Sequence, residues 1–395
     1  MIYSDFQGDK ISQLGFGAMR LPLLDNGSID EAQVAQMVDL ALKSGLNYFD
    51  TAYPYHGGES ERVLGRILSA YPRESFRLAS KFPGHQLAES YDPKAIFEEQ
   101  LQKCQVDYFD FYLLHNVCEL SLKVYDDDRW GIIDYLVEQK LNGRIRHLGF
   151  SSHGGVDNLA VFLDEYAPVM EFCQIQLNYM DWTLQNAREK CAILAQYQIP
   201  VWVMEPLRGG KLANLPALQL AHLQELKPQY GAVEWAFRWL QGLNPVQVVL
   251  SGMSSLGQME ENLRIFEESR PLSANENDLL LRIAEEMKDS VPCTGCRYCM
   301  DACLRRVDIP GLIQAYNDVR FGGGGFTVSM MIDATPEDRK PSSCLGCGAC
   351  TALCPQGIDI PAVLHDLAAR VAEQPSWADV CREREEINRR NSAKR

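Results

Sequence analysis

The chain has no run of about 20 apolar residues, so no segment of it is long enough to cross a bilayer as a helix. Its first ten residues, MIYSDFQGDK, hold neither a basic cluster nor an apolar stretch, and no secretory leader is expected. Positive charge is scarce. Lys and Arg number 38 against 53 Asp and Glu, a net charge of −15 at pH 7, which opposes nucleic acid and anionic membranes and favours solubility. No G-x-G-x-x-G follows the first apolar strand, so the usual opening of a doubly wound dinucleotide-binding sheet is missing. No flavin-binding pattern is evident. Cysteine, by contrast, is abundant, with 13 residues. Disulfide frameworks belong to short secreted chains, and eight of these cysteines fall in two tight runs after residue 290. The other five (Cys104, Cys118, Cys173, Cys191 and Cys381) read as ordinary core or surface thiols, and a reducing cytoplasm suits both groups.

With 395 residues, 46% hydrophobic and 23% charged, the chain can build one large domain and a small one. Over residues 1–272, short apolar strands alternate with amphipathic helices at intervals of roughly 30 residues, the mark of βα units. After LGFGAM, Ser28 and Glu31 form a Ser-x-x-Glu capping box, and Val34, Met37, Val38, Ala41 and Leu42 line one helix face before Gly45 ends it. NYFD, FRLASK, FDFYLLH, IRHLGF, FCQIQL, VWVM and VQVVL continue the series to eight strands. Eight units in about 250 residues is the size of a closed (β/α)8 TIM barrel; an open doubly wound sheet is the competing fold.

Active sites in such barrels gather at the C-terminal strand ends. Those ends carry Asp50 after the second strand, Lys81 after the third and His115 after the fourth. Any one of them alone reads as a solvated strand end, but three in succession converge on one mouth. FDTAYPYHGGESERVLG, followed by SK and LLH at barrel-strand spacing, resembles the aldo-keto reductase family over residues 1 to about 270. The resemblance implies an NAD(P)H-dependent oxidoreductase of small carbonyls or alcohols with a tetrad of Asp50, Tyr55, Lys81 and His115; Tyr53 lies two residues too early for the pattern. In that scheme Tyr55 is the general acid. The Lys81 ammonium lowers a phenol pKa that is about 10 when free, Asp50 holds Lys81, and a neutral His115 polarises the carbonyl. The resemblance also places Ser151, Ser152 and Gln174 at the nicotinamide carboxamide, Ser152 standing where the family has Asn. It places Glu205, Leu207 and Gly209 of EPLRGGKL at the pyrophosphate, and Gly252, Gln258, Glu261 and Asn262 at the adenosine end. Gly252 and Gln258 replace basic residues that grip a 2′-phosphate in many relatives, with Arg264 close by as a substitute.

An acidic, leucine-rich helix at 273–290 leads to VPCTGCRYCMDAC. Cys293, Cys296, Cys299 and Cys303 repeat the spacing of Cys344, Cys347, Cys350 and Cys354, and VDIP at 307–310 recurs as IDIP at 358–361, each followed by a helix. A zinc ribbon uses cysteines in separated pairs, whereas each run here holds four, the ferredoxin arrangement. Residues 291–373 thus resemble a small, mainly helical ferredoxin-like domain with two [4Fe-4S] clusters, its halves joined by a flexible RFGGGGF. In that resemblance the fourth cysteine of each run serves the other cluster, so Cys303 joins Cys344, Cys347 and Cys350. Pro355 follows the second run, while Leu304 stands in the equivalent place after the first. Residues 374–395 read as a charged tail, a solvated helix or frayed end.

Three functions are open to this sequence. The chain is a carbonyl reductase with clusters in a structural or tuning role, an enzyme exchanging electrons with a ferredoxin-like carrier through its clusters, or a non-enzymatic nicotinamide sensor with a relay module. The intact tetrad opposes the third, and the absence of a flavin to split a hydride opposes the second.

Overall fold

The structure, a computed structural model, describes residues 1–287, 291, 293, 295–300, 302–322, 325–354 and 356–393. Eight parallel strands close into a barrel: β3 (Leu14–Gly17), β4 (Tyr48–Asp50), β5 (Arg77–Phe82), β6 (Phe109–Leu114), β7 (Ile145–Ser152), β8 (Cys173–Gln176), β9 (Val201–Met204) and β10 (Val246–Ser251), with β10 pairing back onto β3. These are the eight strands expected, and closure explains why they read as near-continuous apolar runs: barrel strands are buried on both faces. The first helix, Glu31–Lys43, buries Val34, Met37, Val38 and Ala41 as expected, and Gly45 has φ +83° behind it. Its cap is not Ser28. Asp30 is the N-cap and accepts from the Gln33 N–H at 3.0 Å, while Ser28 bonds to Asn26. Aspartate caps as well as serine, and Asp30 stands nearer the first apolar turn.

An N-terminal hairpin, β1 (Tyr3–Phe6) and β2 (Asp9–Ser12), was not foreseen. It turns through Gln7 and Gly8, both at positive φ, and closes the bottom of the barrel. Phe6 enters the barrel core, 5.0 Å between ring centres from Trp202, and Asp9 pairs with Arg77 at the start of β5. The end of the barrel at the C-terminal strand ends is thereby left open.

The helix Ala274–Met287 does not stand off as a connector: Leu280, Ile283 and Ala284 belong to the main core. Residues 288–290 lie outside the described residues. In the cysteine domain the helices Ile309–Gly322 and Ile360–Ala372 follow the two runs and pack on each other, Tyr316 Oη donating to Asp366 at 2.6 Å. Arg320 to Gly322 and Gly325 to Phe326 of the expected linker are helical, and its Gly323 and Gly324 lie outside the described residues, as does Pro355. Leu304, by contrast, is exposed.

This domain is tied to the barrel at two places. On one side Gln314 Nε2 donates to the Leu184 carbonyl at 2.8 Å, and Arg208 bridges Asp181 at 3.0 Å and Asp318. On the other, the helix Gly325–Ala334 and the terminal helix Trp377–Ala393 lie across the mouth. The tail is therefore helical but not solvated throughout, because Trp377 and Cys381 are buried against Cys118 and Met330. Cys104, Cys118, Cys173, Cys191 and Cys381 are all buried thiols. Among the described residues no helix is long and apolar enough to cross a membrane.

Candidate active site

β4 ends in Asp50 and β5 carries Lys81 at the neighbouring strand end, so the sheet itself sets the two side chains side by side. Lys81 is fully buried, and its three N–H donors meet three acceptors: Asp50 Oδ1 at 2.6 Å, the Thr51 carbonyl at 2.8 Å and Tyr55 Oη at 3.4 Å. Burial alone would lower the Lys81 pKa, but the Asp50 carboxylate and the phenol outweigh it and raise it, so the side chain is held as an ammonium. Tyr55 lies one turn beyond β4, where His56 (φ 51°) and Gly57 (φ 62°) bend the chain toward the mouth. Its ring meets His115 edge-on at 5.8 Å. The His115 pKa is pushed well down by burial, with His85 and Lys81 adding to the effect, so the imidazole is neutral.

One expectation changes sign. Lys81 pulls the Tyr55 pKa down, but burial is the larger influence and leaves it raised. Sequence reasoning placed the ammonium correctly and had no measure of burial. The phenol therefore holds its proton at rest, and the Lys81 ammonium offsets part of the cost of giving it up.

All four tetrad residues meet at one cavity of about 930 Å³, lined by Asp50, Tyr55 and His115 with Lys81 directly behind them. Its size is within the range of cofactor sites. Ser151, Gln174, Glu205, Leu207, Gly209, Gly252, Gln258, Glu261 and Asn262 line the same cavity. The fit to a nicotinamide carboxamide rests on Gln174, whose Oε1 is buried with no hydrogen-bond partner among the described residues. Ser152 does not line the cavity. Its hydroxyl donates to the Val117 carbonyl at 2.8 Å and accepts from the Gly154 N–H at 3.1 Å, because alternate residues of β7 face opposite sides. Arg264 does not substitute for a phosphate-binding cation either, since Glu234 Oε2 holds it at 2.8 Å.

Several lining residues were not anticipated. Asn116 faces the cavity one residue after His115, its N–H donating to Ser151 Oγ at 2.8 Å. Arg20 lies against Gly252, where a Cβ would come within 3.3 Å of its side chain. His85 and His153 join His115, each pushed down to about 3 chiefly by burial. Phe326, Trp377 and Arg384 come from beyond the barrel. His85, four residues past Lys81, carried a readable signal as a second imidazole beyond a strand end; the last three did not, since nothing in the barrel pattern points so far down the chain.

The two cysteine runs show the same exposure in the same order. Cys293 and Cys344 are half-buried, Cys296 and Cys347 exposed, Cys299 and Cys350 buried, and Cys303 and Cys354 half-buried. Cys303, Cys344, Cys347 and Cys350 line one cavity, the set in which the fourth cysteine crosses over. Cys299 and Cys350 share the domain's apolar core, and the Cys299 thiol, pushed up to about 11 mainly by burial, feels Cys293 and Cys296 nearby. Among the described residues no group of three His, Cys, Asp or Glu side chains is arranged to hold a single metal ion. An all-sulfur donor set fits iron–sulfur ligation.

The model of the aldo/keto reductase family matches residues 13–285, and that of a 4Fe-4S dicluster domain matches residues 292–358. An L-galactose dehydrogenase of Arabidopsis thaliana is 26% identical over 296 residues, covering 69% of this chain and 89% of that protein. An NADH-specific methylglyoxal reductase of Escherichia coli (strain K12) is 27% identical over 206 residues, 48% of this chain and 61% of that protein. Among solved structures, the holo form of an aldo-keto reductase from Bacillus halodurans superposes with a TM-score of 0.58 at 26% identity, covering 72% of this chain and 96% of that one.

Proposed function

Because the chain belongs to the aldo/keto reductase family, we propose that its barrel moves a hydride between NAD(P)H and a small carbonyl or alcohol, with Asp50, Tyr55, Lys81 and His115 as the catalytic set. The observation that carries this reading is the Lys81 ammonium held between Asp50 and Tyr55 in the same cavity as Gln174. A bound nicotinamide supplies the hydride to the carbonyl carbon. Tyr55 Oη gives its proton to the carbonyl oxygen. Lys81 stabilises the phenolate left behind, and Asp50 keeps Lys81 charged and stationary. His115, neutral and edge-on to Tyr55, polarises the same oxygen. Ser151, Gln174 and Asn262 orient the cofactor, and Glu205, Leu207, Gly209, Gly252, Gln258 and Glu261 line its length. The test is anaerobic turnover of a panel of aldehydes and ketones, followed by nicotinamide absorbance; protein that binds NADH yet reduces none of them removes the reading.

NADH should serve at least as well as NADPH. Gly252 has no side chain, Gln258 Oε1 is occupied by the Ser254 N–H at 2.8 Å, and Arg264 is paired with Glu234. A charge-assisted contact is worth roughly 1.5–3 kcal/mol, so its loss should be visible in relative affinity. Fluorescence titration of both cofactors checks this; a preference of about a hundredfold for NADPH would mean that another cation, Arg20 foremost, reads the 2′-phosphate.

The eight cysteines hold two [4Fe-4S] clusters in this proposal, Cys303 with Cys344, Cys347 and Cys350, and Cys354 with Cys293, Cys296 and Cys299. Anaerobically purified chain should contain about eight irons and as many inorganic sulfides, and about four would leave one of the two sites empty. The clusters act as the folded framework from which the mouth-covering helices extend. One observation favours a second reading, electron exchange with a ferredoxin-like carrier: the helix Gly325–Ala334, between the two runs, reaches the mouth with Phe326 against His153 at 4.9 Å. Bleaching of oxidised clusters by NADPH in flavin-free protein would select it.

A further inference from the structure

We propose that Arg384 is the anion-recognition residue of the substrate pocket, so that the carbonyl compound reduced here carries a carboxylate or a like anion beside an apolar body. The inference rests on the reductase reading above and names its substrate class.

Trp377, Cys381, Arg384 and Asn388 fall at i, i+4, i+7 and i+11 of the terminal helix, one face of it. That face runs along the mouth. Trp377 Nε1 donates to the His85 carbonyl at 3.1 Å, and Asn388 Oδ1 lies 3.1 Å from where a Cβ on Gly58 would sit. Arg384 stands between those two anchors and lines the cavity with Tyr55 and His115.

The terminal helix carries four arginines. Arg382 pairs with Asp379, Arg389 with Glu385 at 2.6 Å and Arg390 with Glu386 at 3.4 Å, all within the helix. Arg384 instead has Val380, Cys381, Ile387 and Asn388 at the positions three and four away. Among the described residues no carboxylate pairs with it, and its guanidinium lies 5.3 Å over the Trp377 ring. The rest of this end of the cavity offers it no counter-ion. Asp50 is bound to Lys81, His85, His115 and His153 are neutral, and Phe326 and Trp377 are apolar. Glu205 is beside Arg20, and Glu261 is on the helix Leu256–Ile265 at the expected adenosine end. The charge of Arg384 is felt by Tyr55, His85 and His115, which places it at the reacting end and away from the cofactor phosphates. A planar guanidinium is suited to a carboxylate or phosphate, and the aromatic walls beside it suit a flat body between anion and carbonyl. The anion takes no part in bond making; hydride and proton go to the carbonyl as above.

The test uses cluster-loaded full chain with NADH under anaerobic conditions. para-Carboxybenzaldehyde, its neutral methyl ester and para-formylphenyl phosphate share a ring and an aldehyde and differ in the remote group. The carboxylate or the phosphate should exceed the ester in kcat/KM by roughly tenfold or more, the larger ratio identifying the anion. Arg384→Gln should collapse that ratio toward one through KM, and Arg384→Lys should keep part of it. Equal values for acid, phosphate and ester in the wild type, or a ratio that survives Arg384→Gln, overturns the proposal. Benzoate against benzamide, titrated calorimetrically into the same protein, gives a readout independent of turnover. If no aldehyde is reduced while benzoate binds in an Arg384-dependent way, the anion site stands and the reductase reading falls; if benzoate binds no better than benzamide, the anion site falls.

Discussion

Tyr55→Phe is expected to lower carbonyl reduction by on the order of 10²–10⁴-fold, the usual contribution of a general acid, while leaving nicotinamide affinity nearly unchanged. In the proposed reading the phenol hydrogen is the proton delivered to the substrate oxygen, and Tyr55 is the side chain that lies both 3.4 Å from Lys81 Nζ and edge-on to His115. In the same reading the cofactor is held elsewhere in the cavity, where Ser151, Gln174 and the loop from Glu205 line it. The loss should therefore fall on kcat, with KM for NADH steady. Phe keeps the ring beside His115, so the variant isolates the hydroxyl. Turnover within a fewfold of wild type would remove Tyr55 from the chemistry, and a parallel loss of NADH binding would make it a packing residue.

Cys350→Ser should cost the chain one cluster and, less obviously, most of its efficiency toward carbonyls. Cys350 is buried in the core of the cysteine domain with Cys299 and Leu364, and ligand loss in such a small domain is loss of folding energy. Phe326 of that domain, and Trp377 of the terminal helix that packs on its Met330, are two walls of the candidate cavity. Iron should drop from about eight to about four per chain. The specificity constant should fall roughly tenfold or more through KM, in line with the loss of a buried aromatic contact, with NADH binding preserved. Iron and steady-state kinetics measured on one preparation decide it: halved iron with an unmoved carbonyl KM would separate the clusters from the pocket.

How far the sequence reached follows from what kind of force places each residue. Strand periodicity and the residues closing each strand are local, so the barrel and the positions of Asp50, Lys81 and His115 were legible. Spacing within a cysteine run is local too, and the family pattern selected Tyr55 over Tyr53. What failed was what depends on distant neighbours. Ser152 seemed interchangeable with Ser151, but the alternation of β7 turns its hydroxyl to Val117. The direction of the Tyr55 shift depends on burial that no motif records. The terminal helix misled for a physical reason. Eight of its 17 residues are charged and seven of those are exposed, and only a stripe four residues apart, Trp377 and Cys381, shows that one face is buried.

That helix also imposes an order in time. A chain leaving the ribosome exposes Asp50 and Tyr55 early and can close its barrel, but the wall formed by Trp377 and Arg384 arrives more than 300 positions after Asp50. Joining ends so far apart is slow to achieve in folding, and here it also waits on the cysteine domain being assembled in between. The barrel is therefore complete as a fold before it is complete as a pocket, and a chain whose cysteine domain fails to assemble would keep the eight strands while the Trp377 and Arg384 side of the cavity stands open to water.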